Sequence, residues 1–286
     1  RLREIFSSCH DWGIATLDPA KWKYTLEQLE EELESKTRIL EVLKPFIEVF
    51  PTAESIPIGL VRQAAQLVRS EQRRVLVLRN EATAEAGVAS LIRQLLKTGS
   101  ELRERKREIE KVISPSLELS AAEIKTHAAS LRQSGWLGWL KPSVRSAKRT
   151  YVAHSRRENF TKVLAAQDFH DLAEWKAEEK AFAELDQAKT LFGIYFRGLE
   201  TDFEQFDCLV TYYETVEERF SGIACRDIRR LLKVGDVDLL FSIPEVPAGA
   251  YQGAYSELAA TIELQKLELS RRRAAFERVQ SLSTSL

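Results

Sequence analysis

The sequence lacks several of the residues that usually help to assign a protein. None of its 286 residues is a methionine, and it has only three cysteines, Cys9, Cys208 and Cys225. The missing methionine, absent even at the first position, indicates either a segment excised from a longer protein or lost methionine positions. The cysteines are far apart, which favours a reducing compartment over a disulfide framework. We therefore expect a cytoplasmic protein in which Cys208 is a buried packing residue and not a nucleophile.

Signals for membranes, nucleotides and metals are also missing. No apolar run approaches the roughly 18 residues of a membrane span, and no signal-type stretch follows Arg1. The phosphate-binding loop G-x-x-x-x-G-K-[ST] does not occur. The four histidines are dispersed, and no Cys or His pair has the spacing of a zinc site. The sequence predicts no enzymatic activity, no metal site and no cofactor in this chain, and no membrane contact.

The residues that are present favour helices. Hydrophobic residues make up 44% of the chain and charged residues 30%, whereas there are only 12 glycines and 8 prolines. Such a composition is rich in helix formers and has enough apolar surface for a real core. We predict an all-α fold, in which an antiparallel coiled-coil-like stalk brackets a compact helical head.

Heptad spacing and proline positions predict four segments. These are an N-terminal helical segment (1–58), a long outgoing stalk helix (59–114), a helical head (115–249) and a return stalk helix (250–286). In the first segment a helix is expected from Asp18-Pro19 to about Leu43, before Pro45 interrupts it. The two stalk helices repeat apolar residues every seven positions, at Val68, Val75, Ala82, Ala89 and Leu96, and at Tyr255, Ile262, Leu269 and Phe276.

Two capping boxes mark helix starts within the head. Ser120-Ala-Ala-Glu123 has a hydroxyl followed three residues later by a carboxylate, and Thr201-Asp-Phe-Glu204 repeats that spacing. Ser120, Glu123, Thr201 and Glu204 are therefore interpreted as structural caps. The acids between Asp168 and Glu179 recur at helical spacing, and we interpret them as a solvated helix face rather than a catalytic site.

The strongest local signal is positive charge. Residues 132–162 contain eight Lys or Arg and one acid, Glu158, and a helix is expected from Pro142 toward Leu164. Basic residues on one helix side, with aromatic residues nearby, are typical of a surface that binds nucleic-acid phosphates. The candidate contacts are Lys141, Arg145, Lys148, Arg149, Arg156, Arg157, Trp136 and Trp139. In the alternative interpretation, Trp136, Trp139 and Tyr151 are core anchors, and the basic residues pair with the acidic helix around 168–179.

Two segments of the head resemble a known family. They are residues 134–149, Ser-Gly-Trp-Leu-Gly-Trp-Leu-Lys-Pro-Ser-Val-Arg-Ser-Ala-Lys-Arg, and residues 191–206, Leu-Phe-Gly-Ile-Tyr-Phe-Arg-Gly-Leu-Glu-Thr-Asp-Phe-Glu-Gln-Phe. The region 117–220 resembles the helical stalk and insertion of large bacterial superfamily 1 helicase-like ATPases. The resemblance implies a parent protein that binds ATP and Mg²⁺ through motor domains outside this chain. Those domains would then be its partners.

The resemblance leads to the first of three hypotheses. In it, the chain is a non-catalytic helicase insertion that contacts DNA, other nucleic acid or a partner protein and couples that contact to the motor. In the second, it is a coiled-coil scaffold or protein-interaction module that never touches nucleic acid, and its binding is insensitive to salt. A module lying on anionic membrane is the third and weakest, since no exposed apolar wedge is evident from the sequence.

Overall fold

The structure is a computed structural model that describes residues 19–135, 138–222, 225–243 and 253–283. Within these ranges the chain forms thirteen α-helices, a few 3-10 turns and isolated bridges, but no β-strand. The all-α fold class is therefore confirmed. The chain divides into two compact units. One comprises residues up to Gln72 together with those from Val216 onward, and the other comprises Arg73–Thr215. None of the described helices is long and apolar enough to span a bilayer.

The first unit is built around two long antiparallel helices, α1 (Pro19–Val49) and α13 (Tyr255–Ser283). Near the start of α1, Trp22 stacks on Phe276, with ring centroids 6.4 Å apart. Beyond the other end of α1, the Ser256 hydroxyl donates a hydrogen bond to the carbonyl of Glu54. The two helices thus stay in contact over most of their length, and each covers the apolar seam of the other.

Polar side chains also link α1 and α13 near the middle of the pair. Gln265 Nε2 donates to Glu32 Oε1 over 3.3 Å, and Lys36 Nζ lies 2.5 Å from the same oxygen. The hydrogen bond from Lys36 is the main cause of a lowered pKa for the Glu32 carboxyl, and the bond from Gln265 adds to it. These hydrogen bonds lie at the exposed edge of the helix pair, and the one from Gln265 links α1 to α13 there.

Shorter helices complete the first unit. α2 (Ile58–Ser70) buries Val61, Ala64 and Val68 on one face and packs against α11 (Arg226–Val234) and α12 (Asp238–Phe241). α11 in turn buries Ile228 and Leu232. This spacing of three to four residues gives each helix one apolar stripe, which must be covered by a neighbour.

The second unit contains the segments singled out for function. Its helices are α3 (Arg73–Leu76), α4 (Glu81–Ala84), α5 (Val88–Glu110), α6 (Ala121–Arg132), α7 (Pro142–His154), α8 (Lys162–Ala183), α9 (Asp186–Phe192) and most of α10 (Phe203–Arg219). α6 packs along α8, while α5 and α7 also contact α8. Ile124, Leu131, Phe169 and Leu172 are buried between them. The indole Nε1 of Trp175 donates to the Leu102 carbonyl over 3.0 Å and ties α8 to α5.

The prediction of one long helix over 59–114 is wrong. α2 ends at Ser70, the short helices α3 and α4 follow, and α5 begins only at Val88. Two local features break the helix. Asn80 caps α4 by accepting a hydrogen bond from the Thr83 amide, and Gly87 has a left-handed φ of 85°. The division between the two units also falls inside the predicted arm, at Gln72.

Two further expectations about the long helices need correction. The return helix forms as predicted, but its main partner is α1, a segment assigned to the N-terminal region. A heptad seam requires a partner helix without specifying which one. Pro45 does not interrupt α1, because its exposed ring faces solvent, where water can bind the carbonyl that loses its amide partner. Asp18 lies outside the described residues.

Candidate nucleic-acid interface

Helix α7 has one buried and one charged side. Pro142 occupies its first turn, and Lys141 is the N-cap residue. Val144, Ala147 and Tyr151 are buried, three and four residues apart, and form the inner face. At 100° per residue, Lys141, Arg145, Lys148 and Arg149 fall within one arc of about 100°, which runs from the flank beside Val144 to the side opposite the buried face, and all four side chains are exposed. We call these four side chains the basic face. Its members span about 12 Å along the helix.

The basic face is not neutralised by acids in the described part of the chain. None of its four side chains forms an ion pair there, whereas Arg105 and Arg157 of the same unit do. Arg145 Nη2 has only a long contact, 3.4 Å, to the Leu140 carbonyl. Lys148 Nζ lies 5.1 Å from the ring centroid of Phe160. A cation above an aromatic ring keeps its charge, so this contact orients Lys148 without neutralising it.

Two predicted contacts lie off this helix. α7 ends at His154, and Arg156 and Arg157 belong to the connection to α8, so the helix predicted toward Leu164 is too long. The connection pairs with the chain after α5. The Ser114 amide donates to the His154 carbonyl, and the Arg156 amide donates to the Val112 carbonyl, each over 2.9 Å. The Arg156 side chain is exposed.

The side chain of Arg157 forms an ion pair within the protein. Its Nε and Nη2 atoms donate to Asp168 Oδ2 and Oδ1 over 2.9 and 3.0 Å. The Tyr151 hydroxyl donates to Asp168 Oδ2 as well. Burial of the phenol, with a smaller effect of its bond to Asp168, raises the pKa of Tyr151, and the hydrogen bonds to Asp168 raise the pKa of Arg157. The assignment of Arg157 as a nucleic-acid contact is therefore withdrawn, since its guanidinium is committed to Asp168.

The alternative interpretation, in which the basic helix pairs with the acidic helix, holds only for Arg157. Further along α8, the carboxylates of Glu174 and Glu178 form ion pairs with the guanidinium of Arg105 on α5, at 3.3 and 2.7 Å. His170 Nε2 lies 3.2 Å from Glu174 Oε1. The acids of α8 are thus partly neutralised from the side of α5, and the basic face of α7 keeps its charge.

The aromatic residues of the predicted surface have different outcomes. Tyr151 is a core residue, as the alternative interpretation expected, with its ring edge-on to Phe169 at 5.5 Å. Trp136 lies outside the described residues. Trp139 lies in the 3-10 turn Gly138–Leu140, and its stacking role stays a prediction. Two apolar side chains near the basic face are exposed, Leu140 to 52% and Val152 to 59%, and the sequence did not single them out.

One of the two predicted capping boxes is confirmed. Ser120 Oγ accepts from the Glu123 amide, and the Glu123 carboxylate accepts from the Ser120 amide, which starts α6. The Ser120 hydroxyl also donates to the Glu123 carboxylate, and this bond, together with the weaker effect of the bond from the Ser120 amide, lowers the pKa of Glu123. The prediction that Thr201 and Glu204 form the second box is wrong. α10 begins at Phe203, and the amide of Gln205, the third residue of the helix, donates to the carboxylate of Asp202.

The cysteine prediction is also corrected. Cys208 is exposed on α10, because Phe206, Leu209 and Val210 occupy the buried side of that helix. Cys225 is buried, and Cys9 lies outside the described residues. In the ranges that the structure describes, no three His, Cys, Asp or Glu side chains come together in a way that could hold a metal ion.

A lysine-lined cleft lies between α5, α6 and α8. It has a volume of about 620 Å³ and includes Lys106, Lys176 and Lys180 together with Glu110 and Glu179. Lys176 Nζ donates to the carbonyls of Leu117 and Leu119, and burial lowers the pKa of this ammonium. We interpret Lys176 as a residue that holds the chain before α6 against α8, since two of the three donors of its ammonium group bond backbone carbonyls there.

Comparisons with known proteins add no relative. No protein-family model, no curated protein and no solved structure matches this chain.

Proposed function

We propose that this chain is a non-catalytic helical region that binds the phosphate backbone of nucleic acid through the basic face of α7. In this proposal it belongs to a superfamily 1 helicase-like ATPase and couples that contact to motor domains outside the chain. ATP and Mg²⁺ would act in those domains. The resemblance of residues 134–149 and 191–206 to that family supports this assignment.

One observation supports the proposed contact with nucleic acid. Lys141, Arg145, Lys148 and Arg149 share one solvent-facing side of α7, and no described acid pairs with them. Each cation that meets a phosphate releases a condensed counterion, which makes such a surface bind tightly at low salt and weakly at high salt. The surface therefore has the charge and exposure that backbone binding requires.

The chemistry of α7 favours binding that is independent of base sequence. Bases are read by side chains such as Asn and Gln or by bidentate Arg within a groove. Residues 141–154 contain no Asn or Gln, and their one aromatic residue, Tyr151, is buried. Contacts from Lys and Arg on an open helix face position a duplex without reading it.

A second candidate function is a protein-interaction module without nucleic-acid contact. The observation that favours it lies on α13, where Leu264 and Leu267 are 68% and 51% exposed on successive turns of the face away from α1. Adjacent exposed leucines on a long helix provide an apolar strip to which another helix can bind. Binding of this kind would be nearly insensitive to salt.

The proposal is tested by charge reversal on the basic face. Duplex and single-stranded DNA of mixed sequence are titrated with the wild-type chain and with the triple variant Arg145→Glu, Lys148→Glu, Arg149→Glu. The control, Lys97→Glu, Lys111→Glu, Lys180→Glu, changes the net charge equally at three exposed positions in α5, at its C-cap and in α8, each of which forms an exposed ion pair with a neighbouring glutamate. We expect the triple variant to lose binding and the control to keep most of it. Equal losses would show a general charge effect and would contradict the assigned face.

A further inference from the structure

The turn between α9 and α10 exposes two large apolar side chains. Ile194 is 86% exposed and Tyr195 is 39% exposed, in the 3-10 turn Gly193–Tyr195. A single exposed apolar residue is ordinary on a protein surface, but two adjacent ones on a fixed turn resemble the anchors of an interface. The surroundings of this turn therefore decide whether it is a binding surface.

The turn is held in one conformation by its backbone and by a buried threonine. Gly193 and Gly198, on either side of the exposed pair, have φ values of 54° and 56°, which L side chains rarely adopt. Thr201 is fully buried, and its hydroxyl accepts from the Arg197 amide over 2.9 Å and donates to the Gly198 carbonyl over 2.7 Å. The turn is closed on itself by these bonds.

Arg103, a residue of α5, also restrains this turn. Arg103 donates through Nε to the Leu199 carbonyl and through Nη2 to the Thr201 carbonyl. Its guanidinium also lies over the Phe203 ring, 4.1 Å from the centroid. The guanidinium thus bonds two carbonyls of the turn that are two residues apart, and it restrains the position of the turn on α5.

Aromatic rings form the base under the exposed pair. Phe192 is fully buried and packs on Phe206 at 4.2 Å and on Phe196 at 6.0 Å. Phe196 in turn meets Phe182 of α8 at 5.7 Å. Every other aromatic residue of the turn is therefore packed inward, and Ile194 and Tyr195 are left outside. Because the backbone of the turn is already fixed, covering it costs little further backbone entropy, and only the exposed side chains remain to be ordered.

The rim of the turn is acidic. Residues 184–207 contain six Asp or Glu and two Lys or Arg. Of the acids, Glu200, Asp202 and Glu204 are exposed and follow the turn directly. Asp186 pairs with Lys189 at 3.8 Å, so the remaining excess of negative charge lies on the α10 side. Arg197, also exposed, offsets one of these acids, but the net charge stays negative and disfavours phosphate groups, so nucleic acid is the less favourable occupant.

We propose that Ile194 and Tyr195 form a docking surface for a protein segment that presents apolar side chains flanked by Lys or Arg. The apolar pair supplies the anchor, and Glu200 and Glu204 select the basic flanks of the partner by charge complementarity. This surface does not depend on the basic face. Tyr151 of α7 contacts Phe169 on α8, whereas the turn contacts Phe182, thirteen residues further on and about 20 Å along that helix.

The test uses the whole chain and a phage-displayed random-peptide library. The library is selected on the wild type and counter-selected on the double variant Ile194→Ser, Tyr195→Ser. We expect enriched peptides that combine aliphatic or aromatic residues with Lys or Arg, bind the wild type about tenfold more tightly than the double variant, and weaken with Glu200→Lys, Glu204→Lys. Reversal of Arg145, Lys148 and Arg149 on the basic face leaves their binding unchanged.

Three results would overturn the proposal. The first is a failure to enrich any peptide that distinguishes the wild type from the double variant. The second is enrichment of peptides rich in Asp or Glu. The third is a concentration-dependent dimer, seen by sedimentation velocity, that Ile194→Ser abolishes, because the occupant would then be a second copy of this chain. Since both substituted side chains are exposed, an unchanged urea midpoint verifies that the variants fold.

Discussion

Arg157 and Asp168 form a two-bonded ion pair in which the carboxylate is almost fully buried and the guanidinium is partly exposed. The side chain of Asp168 is 7% accessible and that of Arg157 is 37% accessible. The pair joins the connection after α7 to the middle of α8, and the Tyr151 hydroxyl adds a third bond to the same carboxylate. It therefore fixes the end of the helix that carries the basic face.

Removal of the guanidinium leaves this buried carboxylate with only the Tyr151 bond. We expect Arg157→Ala to lower the free energy of unfolding by about 1–3 kcal/mol, less than for a fully buried pair because water reaches Arg157. Arg156→Ala, next to it and exposed, is the matched control and should change stability by less than about 0.5 kcal/mol. Urea unfolding measures both. Equal effects of the two substitutions would contradict the structural role of Arg157.

His127 makes stability depend on pH near neutrality. It packs on Phe169 with centroids 5.8 Å apart, and burial lowers its pKa, an effect that Glu123 partly offsets. Because the imidazole takes up its proton more readily in the unfolded chain, stability falls as pH drops through about 6.5 toward the lower folded pKa. His127→Gln removes this loss, so the difference between variant and wild type should shrink or reverse between pH 7.5 and pH 5.5. A parallel pH profile of the two proteins would refute the effect.

Gly99 lies inside α5, where the ring of Phe203 packs directly against it. A Cβ at this position would lie 2.2 Å from Phe203 Cζ, far inside van der Waals contact. In an open helix Gly→Ala stabilises by about 1 kcal/mol. Here we expect Gly99→Ala to destabilise by about 1–3 kcal/mol through overpacking. The exposed neighbour Ser100→Ala serves as control and should be neutral or slightly stabilising in the same urea experiment.

Substitutions at the start of α10 test whether Asp202, or the predicted pair of Thr201 and Glu204, caps this helix. The structure assigns the cap to Asp202, so Asp202→Ala should cost about 1 kcal/mol, and Asp202→Asn, another good N-cap, should cost much less. Glu204→Ala should stay within about 0.5 kcal/mol, because Glu204 is exposed and takes no part in the cap. A larger cost at Glu204 than at Asp202 in thermal or urea unfolding would restore the sequence-based capping box.

Local patterns in the sequence predicted much of the fold. The all-α class, the helix at 255–283 and the Ser120–Glu123 box depend on residues within one or two turns, and all three are confirmed. The breaks in segment 59–114 also have local signals, Asn80 with Thr83 three residues later and a glycine at position 87, but the seven-residue spacing of apolar residues runs across both of them. The choice of α1 as the partner of α13 depends on packing between distant segments, which periodicity does not encode.

The candidate site was predicted in part. The exposed face of α7 followed from the charge excess and the 3.6-residue period, so Lys141, Arg145, Lys148 and Arg149 could be selected in advance. Arg157 could not be told from them, since its partner Asp168 lies across a bend that only the folded chain defines. The turn that contains Ile194 enters the sequence analysis only as part of a family resemblance, because a sequence does not show whether an apolar side chain is exposed.

The central claim is tested most directly by the salt dependence of duplex DNA binding. The logarithm of the binding constant is plotted against the logarithm of salt concentration for the wild type and for Arg145→Gln, Arg149→Gln. Four phosphate contacts on the basic face predict a slope of about −3.6 for the wild type, reduced by about one for each cation removed. A slope near zero, or a steep slope that the substitutions leave unchanged, would contradict the claim that the basic face of α7 binds the phosphate backbone.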